Sequence, residues 1–466
     1  MEKRLNDLID RSAMDMIVTT QKLLQIESVY SRSTHLNEPF GPGPAKALDF
    51  MIKTAESMGF TCKNVQGYAG YIEMGKGEEL IGVLSHLDVV PAGAGWSVPP
   101  FSGEIKDNCI YGRGAVDDKG PTIATLYALK AIRDSRLPVS KRVRHIMGLN
   151  EEEGFRCIRY YLDHEEVPSM GFSPDGDFPV IHGEKGILQF TATDHYKVGR
   201  SLDMVLQEIR GGTAPNVVPG EAYAVFHVNM EGRFQLEKAY RYLKDKRHIS
   251  LEDNKYVITV TATGKSAHGS RPDLGDNALS HLLAFLLTVS GMDAAVKKTI
   301  RKFYTLFGKG YDGKGAGAAC SDELSGPLTM NLGEFVMKDG TATANMDVRY
   351  PVTKDFALLW HDIEEAVEAQ DLDLHITEHK KPLYVPKDHP LVEKLCSVYR
   401  EMTKDKTKPL VIGGGTYCRA LENFVAFGPM FPGRPDTVHQ ADEHIAIPDL
   451  VLMAKIYAQA IYELIK

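Results

Sequence analysis

Histidine and acidic residues occur in five short segments of this sequence, and these residue types bind metal ions or move protons. The first segment is His86-Leu87-Asp88, in which the two polar side chains are two positions apart. Positions two apart on a strand face the same side, so the imidazole and the carboxylate can face one cavity. There they would act as a metal ligand and its supporting group. An ordinary surface dipeptide is the alternative.

Two adjacent acids, Asp117 and Asp118, follow a glycine-bracketed segment over 112–114 and precede a helix that Pro121 is suited to begin. One interpretation is a helix cap, in which either carboxylate accepts backbone N–H bonds. The other is a carboxylate between two cations, because cations about 3.5–4 Å apart repel each other and need an anion between them. The sequence alone leaves both interpretations open.

The remaining segments add further carboxylates and a second histidine. The acids 151–153 directly follow an apolar run, Asp175 stands in a Pro-Asp-Gly sequence, and His439 lies far along the chain. Each has an ordinary explanation when taken alone, such as solvated acids or a turn. Together they offer two histidines and several carboxylates, a donor set that suits a borderline metal such as zinc, manganese or cobalt.

Composition excludes several classes of protein. The 466 residues are 43% hydrophobic and 25% charged, which is typical of a globular chain. The net charge of −8 argues against a nucleic-acid partner. No apolar run reaches the roughly 18 residues of a membrane span, and the charged N-terminus lacks the apolar core of a secretory signal. These two observations predict that the protein has no membrane partner. Six scattered cysteines without a CxxC pair predict a cytoplasmic protein.

The first 185 residues show alternating helical and strand patterns. Apolar runs over 80–84 and 143–149 end directly before the polar segments that begin near His86 and Asn150. This alternation predicts an α/β fold with a doubly wound mixed sheet. Ligands of such sheets bind beyond the carboxyl ends of the strands, where these polar segments lie.

After residue 185 the pattern changes to alternating strands with intervening helices. A hairpin is predicted around Asp339-Gly340, and one of the helices is predicted near 202–209. The α/β pattern returns after residue 380. We therefore predict one domain from residues 1–185 plus 381–466 and an inserted α+β domain over residues 186–380.

The order of the motifs resembles the M20 family of dinuclear metallopeptidases, and within it the PepV-type bacterial dipeptidases. H-x-D at 86–88, G-R-G-x-x-D-x-K-G at 112–120, E-E at 151–152, P-D-G at 174–176 and the distant His439 follow in the family's order. The resemblance covers nearly the whole chain. One departure is Asn150, where the family usually has Asp, and we expect this residue to tune activity modestly.

The resemblance implies two divalent metal ions per chain, with zinc as the first expectation and manganese or cobalt as alternatives. The implied ligands are His86, Asp117, Glu152, Asp175 and His439. Asp117 would bridge both ions, His86 and Asp175 would complete one set, and Glu152 and His439 would complete the other. The resemblance also implies that the first domain is catalytic and the inserted domain is its lid.

Two residues near the ligands also receive roles from the resemblance. Glu151 would be the general base, and Asp88 would support His86 from outside the ligand set. The peptide bond between Asp117 and Asp118 would be cis, which is rare for a bond that does not precede proline.

Further roles are expected for residues that bind the substrate. His268 would stabilise the oxyanion, with a structural histidine as the alternative. Arg349 would hold a carboxylate bidentately, with a surface ion pair as the alternative. The remaining substrate-binding candidates are Asn216, Gly414, Gly415 and Thr416; the three in the glycine-rich segment are expected to lie close to the same carboxylate.

The function expected from these residues is a metal-dependent dipeptidase that acts on peptides with a free amino terminus. Asp175 favours this activity, because the deacylases of the family tend to have Glu at that position. The alternatives are an N-acyl amino acid amidohydrolase, of the deacetylase or desuccinylase type, and a non-catalytic peptide-binding protein. A monomer is expected, since an inserted domain this long substitutes for a second subunit in PepV-type chains.

Overall fold

The computed structural model describes residues 1–197, 199 and 203–466. The chain divides into two compact units. The first unit contains residues 1–183, 384–410 and 415–466, and the second contains residues 184–383 and 411–414. Within the described residues, no helix is both long enough and apolar enough to cross a membrane.

The helices and strands of the described residues have the following bounds. The helices are α1 Lys3–Leu24, α2 Pro42–Ser57, α3 Lys119–Ser135, α4 Arg156–His164, α5 Met230–Tyr242, α6 Ala278–Thr288, α7 Ala294–Phe303, α8 Phe356–Glu368, α9 Pro390–Thr403 and α10 Ile447–Ile465. The strands are β1 Thr61–Val65, β2 Ala69–Gly75, β3 Leu80–His86, β4 Glu104–Lys106, β5 Cys109–Tyr111, β6 Arg142–Gly148, β7 Met170–Ser173, β8 Ile181–Glu184, β9 Gly186–His195, β10 Met204–Gly211, β11 Glu221–Val228, β12 Ile249–Asn254, β13 Val257–Thr263, β14 Ser321–Asp322, β15 Gly326–Pro327, β16 Thr329–Lys338, β17 Thr341–Tyr350, β18 Asp373–Lys380, β19 Leu383–Tyr384, β20 Leu410–Ile412, β21 Phe424–Ala426 and β22 His444–Ala446.

The first unit is organised around a mixed sheet with the strand order β1-β2-β6-β3-β7-β21-β8. The central strands β6, β3, β7 and β21 run parallel, whereas β1 and β2 join them in antiparallel pairs. All seven residues of β3 are buried, as expected for the middle of a sheet that is covered on both faces. The carboxyl ends of β6, β3 and β7 therefore meet at one edge.

Helices α1, α3 and α10 pack against one another in this unit. The middle helix, α3, is buried over most of its length, including Lys119 at its start. The amine of Lys119 donates a hydrogen bond to the backbone oxygen of Ile26 at 2.6 Å, which satisfies a cation that would otherwise be costly to bury. This packing fixes the N-terminal end of α3, which directly follows Asp117 and Asp118.

The second unit contains an eight-stranded antiparallel sheet with the order β12-β13-β11-β10-β16-β17-β9-β18. Its two halves repeat one order of elements. Along the chain, β10, β11, α5 and β12 in one half correspond to β16, β17, α8 and β18 in the other, while β13 and β9 each stand third from the centre of the sheet. The halves meet where β10 and β16 pair antiparallel over Glu208–Gly211 and Phe335–Lys338.

The predicted mixed α/β fold is confirmed, and so is the hairpin around Asp339-Gly340, which is formed by β16 and β17. The helix predicted near 202–209 is wrong, because β10 occupies residues 204–211; residue 202 lies outside the described residues. The register of β10 against β11 shifts between Leu206 and Glu208. Because of this bulge, Leu206 and Ile209, which are three positions apart, can face the same side of the strand, and this spacing imitates that of a helix.

Candidate metal centre

Three predicted site segments lie at the edge where parallel strands end. His86 is the last residue of β3, the acids 151–152 follow β6, and Asp175 follows β7. The register pairs His86 with Gly148 across the β3–β6 ladder, so these strands end side by side. The polar residues at the carboxyl ends of these apolar strands therefore lie close to one another.

The side chain of Asp117 connects the two histidines. One carboxylate oxygen lies 2.8 Å from Nε2 of His86, and the other lies 3.0 Å from Nε2 of His439. The same nitrogen of His439 lies 3.1 Å from an oxygen of Glu152. Four of the five predicted ligands therefore come together, with Asp117 in the middle.

The fifth predicted ligand, Asp175, shares this electrostatic environment. Burial, followed by the negative charge of Asp117, raises the pKa of Asp175 to about 7. The pKa of Glu151 is raised well above its usual value by burial and by the charges of Asp175, Glu152 and Asp117. The carboxylates of this site repel one another when all of them are ionised, so the site attracts cations and protons.

The two histidines respond to the same charges in the opposite direction. Hydrogen bonds to Asp117 and Glu152 raise the pKa of His439 to about 10. Burial alone would lower the pKa of His86, but hydrogen bonds to Asp117 and Asp88 outweigh it and raise the pKa well above its usual value. Conversely, burial would raise the pKa of Asp117, and the hydrogen bonds from both histidines hold it below its usual range.

Asp88 is fully buried and connects two of the strand ends. Its carboxylate accepts hydrogen bonds from the backbone N–H groups of Glu151 and Glu152, each at 3.1 Å. Its backbone oxygen lies 2.9 Å from Nδ1 of His86, and a carboxylate oxygen lies 3.6 Å from that nitrogen. Donation from Nδ1 to this carbonyl leaves Nε2 of His86 directed at Asp117. Asp88 therefore orients the glutamate pair as well as the histidine.

The peptide bond between Asp117 and Asp118 is cis, which confirms that prediction. Asn150 is buried, and its side-chain oxygen accepts a hydrogen bond from the backbone N–H of Arg156 at 3.2 Å. Its backbone oxygen accepts another from Phe155 at 2.9 Å. Asn150 therefore fixes the turn between Glu151 and α4, while its predicted tuning of activity stays a prediction.

The sequence analysis missed two residues that hold the loop before Asp117. The buried carboxylate of Glu443 accepts a hydrogen bond from the guanidinium of Arg113 at 2.6 Å. It also accepts backbone N–H bonds from Gly114, Val116 and Asp117 at 2.9–3.2 Å. The available signals were the arginine between two glycines and the acid four residues after His439.

The second unit holds the predicted oxyanion residue His268 in the loop after β13. The backbone N–H of Ser270 donates to Nδ1 of His268 at 3.1 Å, so the proton of a neutral ring resides on Nε2. Burial and the nearby charge of Arg349 lower the pKa of His268 below its usual value. A neutral imidazole with a proton on Nε2 is a hydrogen-bond donor at neutral pH.

Arg349 and Asn216 lie in the same unit as His268. Arg349 is buried and makes a two-point ion pair with Asp347 at 2.6 and 2.9 Å, so it is neither exposed nor without a counter-charge. Another of its N–H groups donates to the backbone oxygen of Gly413 at 3.1 Å. The backbone oxygen of Asn216 accepts from Gly269, which places Asn216 beside the His268 loop.

The glycine-rich segment is divided between the units. Gly414 belongs to the second unit, whereas Gly415 and Thr416 belong to the first. The hydroxyl of Thr416 accepts a hydrogen bond from the backbone N–H of Cys418 and so caps a short helix over 417–420. The next residue, Tyr417, donates its backbone N–H to the carboxylate of Asp175.

The donor set of this centre fits divalent metal ions. A nitrogen of His86 and oxygens of Asp117 and Glu152 lie within 4.8 Å of one another. Imidazole nitrogen and carboxylate oxygen are the ligands that zinc, manganese and cobalt accept in proteins. Asp117 presents one oxygen to each histidine, an arrangement suited to a bridging role.

Metal binding is expected to release protons. The pKa of His439 is raised to about 10 and that of Asp175 to about 7, so both side chains hold protons at pH 7. A metal ion must displace these protons when it binds the two side chains. Zinc affinity should therefore rise as the pH increases from about 5 to about 10. Calorimetric titration of the chelator-stripped protein, in two buffers of different ionisation enthalpy, should show net proton release. A binding enthalpy that is independent of the buffer would contradict this expectation.

Replacing Glu443 is expected to weaken the centre without touching a ligand. Glu443→Gln keeps the side-chain volume but leaves Arg113 without its counter-charge, so the loop that carries Asp117 loses its fixed position. We expect metal affinity to fall about 10–100-fold, as is typical when supporting groups of metal ligands are changed. Competition with a chromophoric chelator measures this affinity, and circular dichroism shows that the variant is folded.

Two further variants sharpen this test. Glu422→Gln, at an exposed position, should leave metal affinity unchanged. Arg113→Met combined with Glu443→Gln removes both buried charges, so it should recover thermal stability but not metal affinity. Unchanged affinity in folded Glu443→Gln protein would show that the loop is positioned without this carboxylate.

Sequence relatives match almost the whole chain. A sequence model of peptidase family M20/M25/M40 matches residues 82–463. The Bacillus subtilis protein named "Putative dipeptidase YtjP" is 41% identical over 461 residues, which cover 98% of each chain. "Putative dipeptidase SH1171" of Staphylococcus haemolyticus is 36% identical over 453 residues, which cover 95% of each chain.

Solved structures of much lower identity share the fold. Human carnosine dipeptidase 1 gives a TM-score of 0.58 at 12% identity, with 99% of this chain and 98% of that chain covered. Aminoacylhistidine dipeptidase from Vibrio alginolyticus gives 0.59 at 13% identity, with 96% of each chain covered. Because the family model spans most of the sequence and the Bacillus relative nearly all of it, the chain belongs to peptidase family M20/M25/M40 and is a hydrolytic enzyme of the metallopeptidase class.

Proposed function

We propose that this enzyme is a dipeptidase that hydrolyses the peptide bond of dipeptides with a free amino terminus. The observation that carries the proposal is the meeting of His86, Asp117, Glu152 and His439 at the strand ends, with Glu151 beside them. The names of relatives that match nearly the whole chain support the choice of substrate.

Two divalent ions are proposed for the centre, with zinc as the first choice. Asp117 would be the shared ligand, His86 and Asp175 would complete one set, and Glu152 and His439 would complete the other. Such ions lower the pKa of a bound water towards 7 and polarise the scissile carbonyl. The protein contributes a fixed arrangement of these ligands, through Asp88 and Glu443.

Glu151 is proposed as the group that moves the proton. It takes a proton from the attacking water and later delivers it to the amine that leaves. Burial and the neighbouring carboxylates raise the pKa of Glu151 well above its usual value, which favours its acceptance of the proton from water. The hydrogen bond from its backbone N–H to Asp88 holds the residue in place during both transfers.

The second unit is proposed to supply the groups that hold the substrate. His268 donates from Nε2 to the oxyanion, because its neutral ring has that nitrogen protonated. Arg349 binds the substrate carboxylate with the N–H groups that Asp347 and Gly413 leave available. Asn216 completes this group through a polar side chain next to the His268 loop.

A free amino terminus suits the charge of the centre. Asp175, Glu152 and Glu151 surround the site with carboxyl groups whose pKa values are raised by burial and, after it, by neighbouring negative charges that include Asp117. A substrate ammonium group is attracted by this field, whereas an N-acetyl group carries no charge and gains nothing from it. Discrimination against acylated substrates follows from this difference.

A dipeptide and its N-acetylated twin test the proposed function. We expect the stripped enzyme to recover hydrolysis of the free peptide when zinc, manganese or cobalt is added, and to leave the acetylated twin intact. Chromatography of the released amino acids measures both rates. Hydrolysis of the acetylated twin alone would reassign the enzyme to the N-acyl amino acid amidohydrolases, and binding without hydrolysis of either would indicate a non-catalytic protein.

Glu151→Gln tests the proton-transfer role within the same assay. Loss of the base should lower kcat by about 10²–10⁴-fold, with zinc content unchanged. Glu153→Gln is the matched control, because Glu153 is the exposed third acid of the same segment and should be dispensable. Equal loss in both variants would point to a general effect on the turn.

We propose that the enzyme acts as a monomer in the cytoplasm. Both halves of the sheet in the second unit come from one chain, so no partner is needed to complete it. Specific activity should therefore stay constant when the enzyme is diluted across the range in which sedimentation velocity shows any dimer dissociating. A specific activity that falls in step with dissociation would overturn this proposal.

A further inference from the structure

A second group of metal-binding residue types lies in the second unit, outside the residues proposed for catalysis. Nε2 of His281 lies 2.6 Å from one carboxylate oxygen of Asp276, and Nδ1 of His248 lies 3.5 Å from the other. One nitrogen from each ring and one carboxylate oxygen all lie within 4.8 Å of one another. Two imidazoles and a carboxylate form a donor set that borderline metals bind well.

Regular structure holds the three residues in place. The backbone of Asp276 makes two hydrogen bonds with the backbone of Lys265, each 2.8 Å long. The side chain of Asn277 caps α6, so His281 lies in the first turn of a well-formed helix. His248 precedes β12, and its Nδ1 lies 3.0 Å from the backbone oxygen of Thr263. Nδ1, which also faces Asp276, donates to that carbonyl, so Nε2 is the nitrogen of His248 that would bind an ion.

The group is open to solvent. The side chains of His248, Asp276 and His281 are 28%, 42% and 32% exposed. Both histidines line a cavity of about 760 Å³ that runs between α5 and α6 and is also bordered by Tyr242 and Phe285. An ion can therefore enter from solvent, and coordination positions that the protein does not fill would be open to water or to a small anion.

We propose that His248, Asp276 and His281 bind one divalent transition-metal ion of the zinc class, at a site separate from the proposed catalytic centre. The two rings stack with centroids 4.1 Å apart and planes 10° apart, so their nitrogen lone pairs lie in two nearly parallel planes. Coordination by both requires one ring to turn about its Cβ–Cγ bond. The partial exposure of His281 permits this turn, and the hydrogen bond that its ring makes is to Asp276, itself a ligand of the proposed site.

The proposed ion would lie at the base of the loop that carries His268. The paired backbones of Lys265 and Asp276 close this loop, and Asp276 would be a ligand. An ion joined to Asp276, to α6 through His281 and to the start of β12 through His248 would connect the loop base with two neighbouring elements. Binding of the ion would therefore restrict movement at the base of this loop, and its open coordination positions could bind a small ligand.

Metal stoichiometry of the full-length protein tests this inference. After stripping with a chelator and equilibrium dialysis against a zinc buffer, His281→Ala and His248→Ala should each retain one zinc ion fewer per chain than the unaltered protein. His375→Ala replaces an exposed histidine elsewhere in the second unit and should retain the full number. Circular dichroism shows whether each variant keeps its fold. Equal stoichiometry in all four proteins overturns the proposal.

A site-specific measurement locates the ion independently of the total count. Modification of histidines with diethyl pyrocarbonate, followed by peptide mass spectrometry, should show His281 protected by zinc and exposed after stripping. His375 should react equally in both states. Protection confined to the proposed catalytic histidines would show that His248, Asp276 and His281 are a hydrogen-bonded group only.

Discussion

The carboxylate of Asp88 joins the ends of two parallel strands, and the proposed catalytic centre depends on this connection. It accepts the backbone N–H groups of Glu151 and Glu152, and its own backbone holds Nδ1 of His86. Both partners follow from β-strand registry, because β3 and β6 end side by side. Without this buried acceptor, two backbone donors would be unsatisfied and the glutamate pair would lose its orientation.

A second buried carboxylate, Glu443, likewise accepts backbone N–H groups next to the centre. Glu443 satisfies three backbone donors of the loop before α3 and neutralises Arg113. Thus the acidic residues divide into two kinds: those whose charge is balanced by backbone donors and an arginine, and those whose charge is left for protons or cations. The second kind includes Asp117, Glu152 and Asp175; burial, and after it the negative charge of Asp117, raises the pKa values of Glu152 and Asp175.

The sequence alone was sufficient to predict where a residue lies when its position follows from the strand that precedes it. Apolar runs that end in polar residues predicted that His86 and the glutamate pair would lie at strand ends, since strand direction places them there. No strand was predicted before Asp175, which follows β7 in the structure. The role of Glu443 was not predictable in this way, because its partners lie 326–330 positions away. The bulge in β10 caused the wrong helix prediction, because the extra residue lets Leu206 and Ile209 face the same side of the strand although they are three positions apart. The ion pair of Arg349 with Asp347 is local, since the two residues are two positions apart on β17, whereas the hydrogen bond from Arg349 to Gly413 spans 64 positions and depends on the folded chain.

The repeated order of elements in the second unit has a consequence for how this protein can change over generations. A repeat contained in one gene copy frees each half to accumulate its own substitutions, whereas identical subunits must carry every substitution twice. The halves already differ: the His268 loop follows β13 in one, and Arg349 lies on β17 in the other. A mutation that improves one of these residues therefore never imposes a matching change on its counterpart, so the two halves can specialise separately.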